Sequence, residues 1–214
     1  MKILAVETSG ETLSVAISND SKIISEYFYN AGKIHSDVII GLINKILKDV
    51  NWTLKDIDKF ALSCGPGSFT GIRVAMAVIK TLAQTLNKPV VCTDTLSVLE
   101  NQLKLKDVKV IAAIDALRNE VYVKQKNEVI ILSTDKFVKK YKKYKNKIFV
   151  IGNASIIYSE LFAEELGKQS VSLPQMLNYP QASTICLMAH NINGTDFKKI
   201  EPLCVRKSWA EEKK

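Results

Sequence analysis

The order of apolar segments along the chain predicts an α/β protein of two lobes. Strand-like and helix-like segments follow one another as βββαβα with a further strand, and much of that order begins again near residue 108. A length of 214 residues, 47% of them hydrophobic, fits either one large domain or two small lobes, and the repeated order selects two lobes with a cleft between them. The repeat lies in the pattern alone, since the residues of the two copies are not alike.

Each element has its own signal. "KILAVET" (2–8) is apolar at consecutive positions, as in a strand covered on both faces, whereas Leu13, Val15 and Ile17 alternate with small polar residues in "TLSVAIS" (12–18). The turn residues of "TSGET" join these two, and "KIISEYFY" (22–29) supplies a third strand, so the chain opens as an antiparallel meander. A helix follows in "HSDVIIGLINKILKDVN" (35–51), with Ser36 as its expected N-cap and Asp37 at its positive end. "KFALSC" (59–64) reads as a strand, "GIRVAMAVIKTLAQTLN" (71–87) as a second helix, and "PVVCT" (89–93) as a strand introduced by Pro89. The second copy has strands in "VKVIAAID" (108–115), "EVYVKQK" (120–126) and "EVIIL" (128–132), then a lysine-rich helix (136–147) and a buried strand in "KIFVIGN" (147–153). The expected division is a lobe at 1–105 and a smaller lobe at 106–202, with the segment from about 203 to 214 packing back on the first.

Composition narrows the functional classes. The longest uninterrupted apolar run near the start, Ile3 to Val6, is too short for a signal segment or a membrane span, so a cytoplasmic location is expected. The four cysteines, Cys64, Cys92, Cys186 and Cys204, have no C-x-x-C spacing, and buried reduced thiols are the expectation. The net charge of +8 points to an anionic partner, but only Arg73, Arg118 and Arg206 are arginine among 30 basic residues. Specific phosphate or base recognition favours arginine's planar fork, so this charge is weak support for it. In "KFVKKYKKYKNK", Phe137, Tyr141 and Tyr144 share one helical face while lysines take the others, which fits a solvated amphipathic helix or a contact with tRNA or another polyanion.

The two helices of the first lobe are unusually apolar. Val38, Ile39, Ile40, Leu42, Ile43, Ile46, Leu47 and Val50 spread over about 200° of the first, about twice the stripe a surface helix needs. In the second, Arg73, Lys80, Gln84 and Asn87 fall within about 60°, and Ile72, Val74, Met76, Val78, Ile79, Leu82 and Leu86 occupy much of the rest. Either a partner's helices cover the outer side, or a C-terminal element folds back over it. The loop before the second helix, "GPGSFTG" (65–71), lacks the spacing of a phosphate-binding P-loop, because Gly67 and Gly71 are too close and Ile72 and Arg73 follow. Gly65, Pro66 and Gly67 suit a sharp turn, Ser68 or Thr70 can cap the helix, and its free N–H groups could also hold an anion.

"ILAVETS", "HSD", "GPGSFTGIRVAMAVIKTLA", "DALRNEVY" and "EPLCVRKSWAE" stand in the order and spacing of the TsaB (YeaZ) family, which the chain resembles over nearly its whole length. The resemblance implies an α/β fold of the actin, sugar-kinase and Hsp70 type, ribonuclease H-like, with duplicated βββαβα lobes. It also implies a non-catalytic subunit that binds and activates TsaD in transferring threonylcarbamoyl to N6 of adenosine 37 of tRNAs reading ANN codons, supported by TsaE. On this reading helices 36–50 and 70–87 meet TsaD, through Val38, Ile39, Leu42, Ile46, Val74, Met76 and Val78, with the loop Gly65, Gly67, Ser68, Gly71 and Arg73 beside them. Contact with tRNA is then indirect, and a homodimer through the same faces can replace the heterodimer when TsaD is absent.

The residues offer little chemistry of their own. His35 and His190 are isolated, so no metal site is expected, and no base accompanies Ser63, Cys64 or Ser68 as nucleophile. Proteins of the implied fold hold ATP in the cleft with an early aspartate and a second aspartate before glycine, because carboxylates hold Mg²⁺ and glycine admits phosphates. Here Glu7, in "ETS" with Thr8 and Ser9, takes the first place, and Asp115, with Leu117 where glycine would stand, takes the second. Arg118 also lies one place later than the family's arginine. Gly152 and Asn153 either help an adenosine site or end a strand in a turn, the turn being preferred. No cofactor is expected to be required by this chain, while ATP or ADP with Mg²⁺ stays open as a ligand of the assembled complex. The competing class is an ATPase or small-molecule kinase of the same fold, using Glu7 and Asp115.

Overall fold

A computed structural model describes residues 1–30, 35–103, 105, 108–144 and 147–206, with residues 35–37 and 169 described by backbone alone. The first half of the chain runs β1 (Lys2–Glu7), β2 (Leu13–Asn19), β3 (Lys22–Tyr29), α1 (His35–Asp49), β4 (Lys59–Ser63), α2 (Phe69–Leu86), β5 (Val90–Thr93) and α3 (Thr95–Gln102). The second runs β6 (Lys109–Asp115), β7 (Glu120–Gln125), β8 (Glu128–Ser133), α4 (Thr134–Lys142), β9 (Ile148–Ile151), α5 (Ala154–Ile157), α6 (Ser159–Leu166) and α7 (Ala182–His190). The first sheet has the order β3-β2-β1-β4-β5 and the second β8-β7-β6-β9. In both, three antiparallel strands are extended by a parallel strand reached through a helix. This is the actin-type duplicated α/β fold that the resemblance implies.

The consecutive apolar residues of β1 are buried on both faces, as expected of a central strand. Leu4 and Val6 face α1 and α2, together with Val15, Ile17 and Phe60, while Ile3 and Ala5 face α7 and meet its Ala182, Ile185 and Cys186. In the second sheet, Val121, Val123 and Val150 pack under Phe137, Tyr141 and Phe162 of α4 and α6. Its other face, with Ala112, Ile114 and Ile151, packs on Leu96 and Leu99 of α3, which fills the space between the sheets.

Three expectations need correction. First, α7 lies within the range 106–202 assigned to the second lobe, yet it packs on the first sheet. With α1 and α2 on one face, the apolar row of Ile3, Ala5, Ala16, Ala61 and Val91 on the other would stay wet without it. Polar groups of that sheet hold both ends of α7: Ser14 Oγ and Glu26 Oε1 each accept from its first N–H groups at 3.0 Å, and Lys59 Nζ donates to the carbonyls of Ala189 at 3.0 Å and Ile192 at 2.7 Å. An anion at the helix start and a cation at its end both suit the helix dipole. Second, α3 was not foreseen; Asp94 caps it, its carboxylate accepting from Ser97 N at 2.8 Å. Third, α1 begins at His35, which puts Ser36 inside the helix and not at its cap.

The lysine-rich helix ends at Lys142, and residues 145 and 146 of the expected span lie outside the described residues. At the far end, Leu203 N donates to Cys64 O at 2.8 Å and the Arg206 guanidinium pairs with Glu120, so the chain spans both lobes there. The rest of the 203–214 segment, from 207 onward, lies outside the described residues. Cys186 is buried, Cys64 and Cys92 half-buried and Cys204 exposed, all as free thiols. Among the described residues no helix is long and apolar enough to cross a membrane.

Candidate functional site

The glycine loop is a packing device against the first hairpin. A Cβ on Gly71 would stand 1.9 Å from the carbonyl oxygen of Thr8, and one on Gly67 2.2 Å from that of Ser9. Backbone therefore lies directly on backbone, and hydrogen bonds fasten it: Ser68 N donates to Ser9 O at 2.6 Å, and Thr8 Oγ1 donates to Gly71 O at 2.7 Å. Ser68 is the helix cap, its hydroxyl accepting from Gly71 N at 3.2 Å. The Cα faces of Gly67 and Gly71 are therefore covered by residues 8 and 9, and both glycines also border the cleft between the lobes. Arg73 lies on the exposed side of α2 over the ring of Phe69, 3.8 Å from its centroid.

A cleft of about 570 Å³ opens between the lobes. Ser9, Gly10 and Glu11 line it from the first hairpin, Gly67, Ser68, Thr70, Gly71 and Val74 from the glycine loop and the first turns of α2, Thr95 and Leu99 from α3, and Ile114, Asp115 and Asn153 from the second sheet and the turn after it. Asn178, Tyr179 and Pro180 close the remaining side. Of the proposed nucleotide residues, Ser9, Asp115 and Asn153 meet here, while Glu7, Thr8 and Gly152 are buried behind the wall.

The Glu7 carboxyl is fully buried; its Oε1 accepts from Ser9 N at 2.5 Å, and its Oε2 has no hydrogen-bond partner among the described residues. Burial pushes its pKa up to about 7, because the charged form has lost its water. Asp115 is engaged: its Oδ1 accepts from Leu117 N at 3.2 Å and from Tyr158 OH at 2.8 Å. Burial, followed by that hydrogen bond, pushes the Tyr158 phenol up to about 12. Asn153 Oδ1 accepts from Asp115 N at 2.9 Å and Gly152 N donates to Asn178 Oδ1 at 3.1 Å, so "IGN" is a strand-ending turn tied to its neighbours.

Tested against a magnesium nucleotide, these residues fit poorly. The described residues lining the cleft include no lysine or arginine to meet phosphates, and its two carboxylates are Glu11 and Asp115. Glu7 is withdrawn behind Ser9, and Leu117, exposed at 69%, occupies the left-handed turn where a glycine would admit phosphate. No group of three or more metal-binding side chains occurs among the described residues.

The outer side of α1 and α2 differs from the sequence expectation in detail. Ile39, Ile46 and Met76, three of the expected partner residues, are in the core and offer no surface, because the sheet needs them for cover. Val38, Leu42, Val74 and Val78 are half-buried, and Ile40 and Phe69 are exposed at 47% and 59%. The alternative of a covering tail is met in part: the turn at Phe197–Lys199 packs on α2 and Ile200 is buried with it. The stripe Arg73, Ala77, Thr81 and Thr85 stays open among the described residues.

Residues 22–194 match the family model described as TsaD: tRNA N6-adenosine threonylcarbamoyltransferase. The chain is 25% identical to the tRNA threonylcarbamoyladenosine biosynthesis protein TsaB of Bacillus subtilis (strain 168), over 100% of this chain and 97% of that one. It is 33% identical to the protein of the same name from Buchnera aphidicola subsp. Schizaphis graminum (strain Sg), over 71% of this chain and 78% of that one. Among solved structures, YeaZ from Pseudomonas aeruginosa aligns with a TM-score of 0.73 at 23% identity, over 95% of this chain and 100% of that one. That likeness is one of fold.

Proposed function

The chain belongs to the TsaB (YeaZ) family, and from that premise we propose that it serves tRNA threonylcarbamoyladenosine biosynthesis as a docking subunit, binding and activating a TsaD-type threonylcarbamoyltransferase without making bonds itself. The observation that carries the reading is the outer side of α1 and α2, where Val38, Leu42 and Val78 keep half-buried apolar surface beside exposed Ile40 and Phe69, with Val74 at the border with the cleft. Two helices from a partner can complete the cover that the Phe197–Lys199 turn begins. The poor fit of the cleft to a magnesium nucleotide supports a role apart from ATP chemistry. TsaE joins the assembled complex on this reading, tRNA is the shared substrate, and a homodimer uses the same faces when TsaD is absent.

The test is to mix the purified chain with TsaD and follow size and tRNA modification together. Ile40→Arg and Val78→Glu should remain folded and lose the complex, whereas Ile46→Glu and Met76→Glu should unfold the first lobe, since each puts a charge where no water reaches. If no surface variant on α1 or α2 is both folded and unable to bind, the docking face is misassigned. Steady ATP turnover by the isolated chain, lost in Asp115→Asn, would replace this reading with an ATPase.

A further inference from the structure

The chain's positive charge is not spread evenly. Residues 1–105 hold eleven lysines and arginines against ten acids, whereas residues 106–150 hold twelve against five, so that stretch carries seven of the net +8. The surplus gathers on one helix. At 100° per residue, Lys136, Lys139, Lys140 and Lys143 fall within about 100° of the α4 surface, opposite Phe137, Val138 and Tyr141, which are buried. All four lysines are exposed.

Neighbouring acids do not neutralise this face. Among the described residues, Lys136, Lys139 and Lys143 have no carboxylate within ion-pair distance, and Lys140 donates to an amide, Gln125 Oε1, at 3.1 Å. Glu165 pairs with Lys142 at 2.7 Å, off the face, and Asp94 pairs with Lys124 at 3.2 Å. Two exposed acids stand close by without pairing with these lysines among the described residues: Asp135, just before Lys136, and Glu128, opposite Gln125 across the β7–β8 turn. Lys126, in the turn next to Gln125, and Lys109, whose amine sits 4.5 Å from the Tyr144 ring centroid, extend the positive surface at either side.

We propose that the outer face of α4, with the β7–β8 turn, binds the phosphodiester backbone of RNA. Lysine is a point charge without a planar fork, and the described residues of the face include no arginine, so it would meet phosphates and leave bases unread. A lipid surface fits worse, because the apolar side of α4 is already packed on Phe162 and has nothing left to insert. The choice of tRNA as the RNA rests on the proposed role in tRNA modification; the patch itself does not.

Fluorescence anisotropy with unmodified tRNA between 50 and 200 mM salt tests this. Each phosphate contact contributes roughly 0.7 to 0.9 to the slope of log affinity against log salt, so K136Q/K139Q/K140Q/K143Q should lower that slope by about 3 and weaken binding by about 100-fold or more at 50 mM. The matching arginine variant at the same four sites should keep the slope. K22Q/K55Q/K198Q/K199Q, which removes the same charge from exposed sites of the first lobe, should change it by less than about 1. Equal losses in both glutamine variants, or loss of TsaD association with unchanged tRNA affinity, would overturn the proposal. A chain that binds no TsaD but shows the α4 slope change would sink only the docking reading.

Discussion

Replacing Gly71 by alanine adds one methyl group to the first turn of α2, where helix propensity alone would favour it by up to about 1 kcal/mol. The structure reverses that sign. The new Cβ would lie 1.9 Å from Thr8 O, so the start of α2 must retreat by roughly 1 Å to reach even a tight contact of 3.0 Å. That retreat would stretch two hydrogen bonds, Ser68 N to Ser9 O at 2.6 Å and Thr8 Oγ1 to Gly71 O at 2.7 Å, past useful length. Each loss costs about 1 kcal/mol and the overpacking about 1 to 3, so the net destabilisation is about 2 to 4 kcal/mol. For a protein of this size that lowers the melting temperature by roughly 5 to 15 °C. Gly41 supplies the internal control: it lies on an exposed turn of α1, no described residue stands within 4 Å of its Cβ position, and Gly41→Ala should raise the melting temperature by a few degrees, about 0.5 to 1 kcal/mol. Thermal unfolding of both variants decides. Should Gly71→Ala melt level with the parent chain or above it, the loop is not held by backbone packing, and an anion-binding role for its glycines returns.

Two other substitutions probe the buried polar groups. Glu7 has a pKa of about 7 folded against 4.5 in its ordinary state, so between those values the unfolded chain releases a proton that the folded chain keeps. Stability should therefore fall as pH rises through that window, by roughly 3 kcal/mol from this residue, and level off above it. In urea titrations from pH 4.5 to 8, Glu7→Gln should gain on the parent chain as pH rises, and a pH-independent difference would contradict the burial argument. Lys59→Met removes the amine that holds the last carbonyls of α7 and keeps the apolar stem, for a loss of about 1 to 3 kcal/mol. Hydrogen exchange should quicken in α7 and the first sheet and leave α4 and α6 unchanged; faster exchange in the second lobe instead would mean that α7 belongs with it.

The parts of the fold that were legible in the sequence are those set by local periodicity. Consecutive apolar residues in β1 announced a strand buried on both faces, and the two strand-strand-strand-helix-strand runs became two sheets of matching topology. α3 also had a local signal, Asp94 as an N-cap residue between the strand "PVVCT" and the apolar Leu96, Val98 and Leu99. α7 had none that could assign its sheet, because Lys59 lies 130 residues from Ala189 and no pattern within either segment refers to the other.

The same division explains the candidate surfaces. Periodicity measures how much of a helix is apolar, and it measured α1 and α2 correctly as wider than a sheet alone requires. It does not say which part of that width the sheet takes, so Ile39, Ile46 and Met76 were grouped with Val38, Leu42, Val74 and Val78 although the first three are core and the other four are flank. The glycine loop was ambiguous for a related reason. Small residues before a helix serve a ligand or a neighbouring chain segment equally well, and only the position of Thr8 and Ser9 separates the two. In α4 the ambiguity ran the other way: the lysines were visible, but a charge run on one side of an amphipathic helix suits a solvated face as well as an anionic partner. Among the described residues of this helix only Lys142 pairs with an acid, at Glu165 of α6, so the four lysines opposite the core keep their charge in solvent, and that charge is what the proposed RNA contact would use.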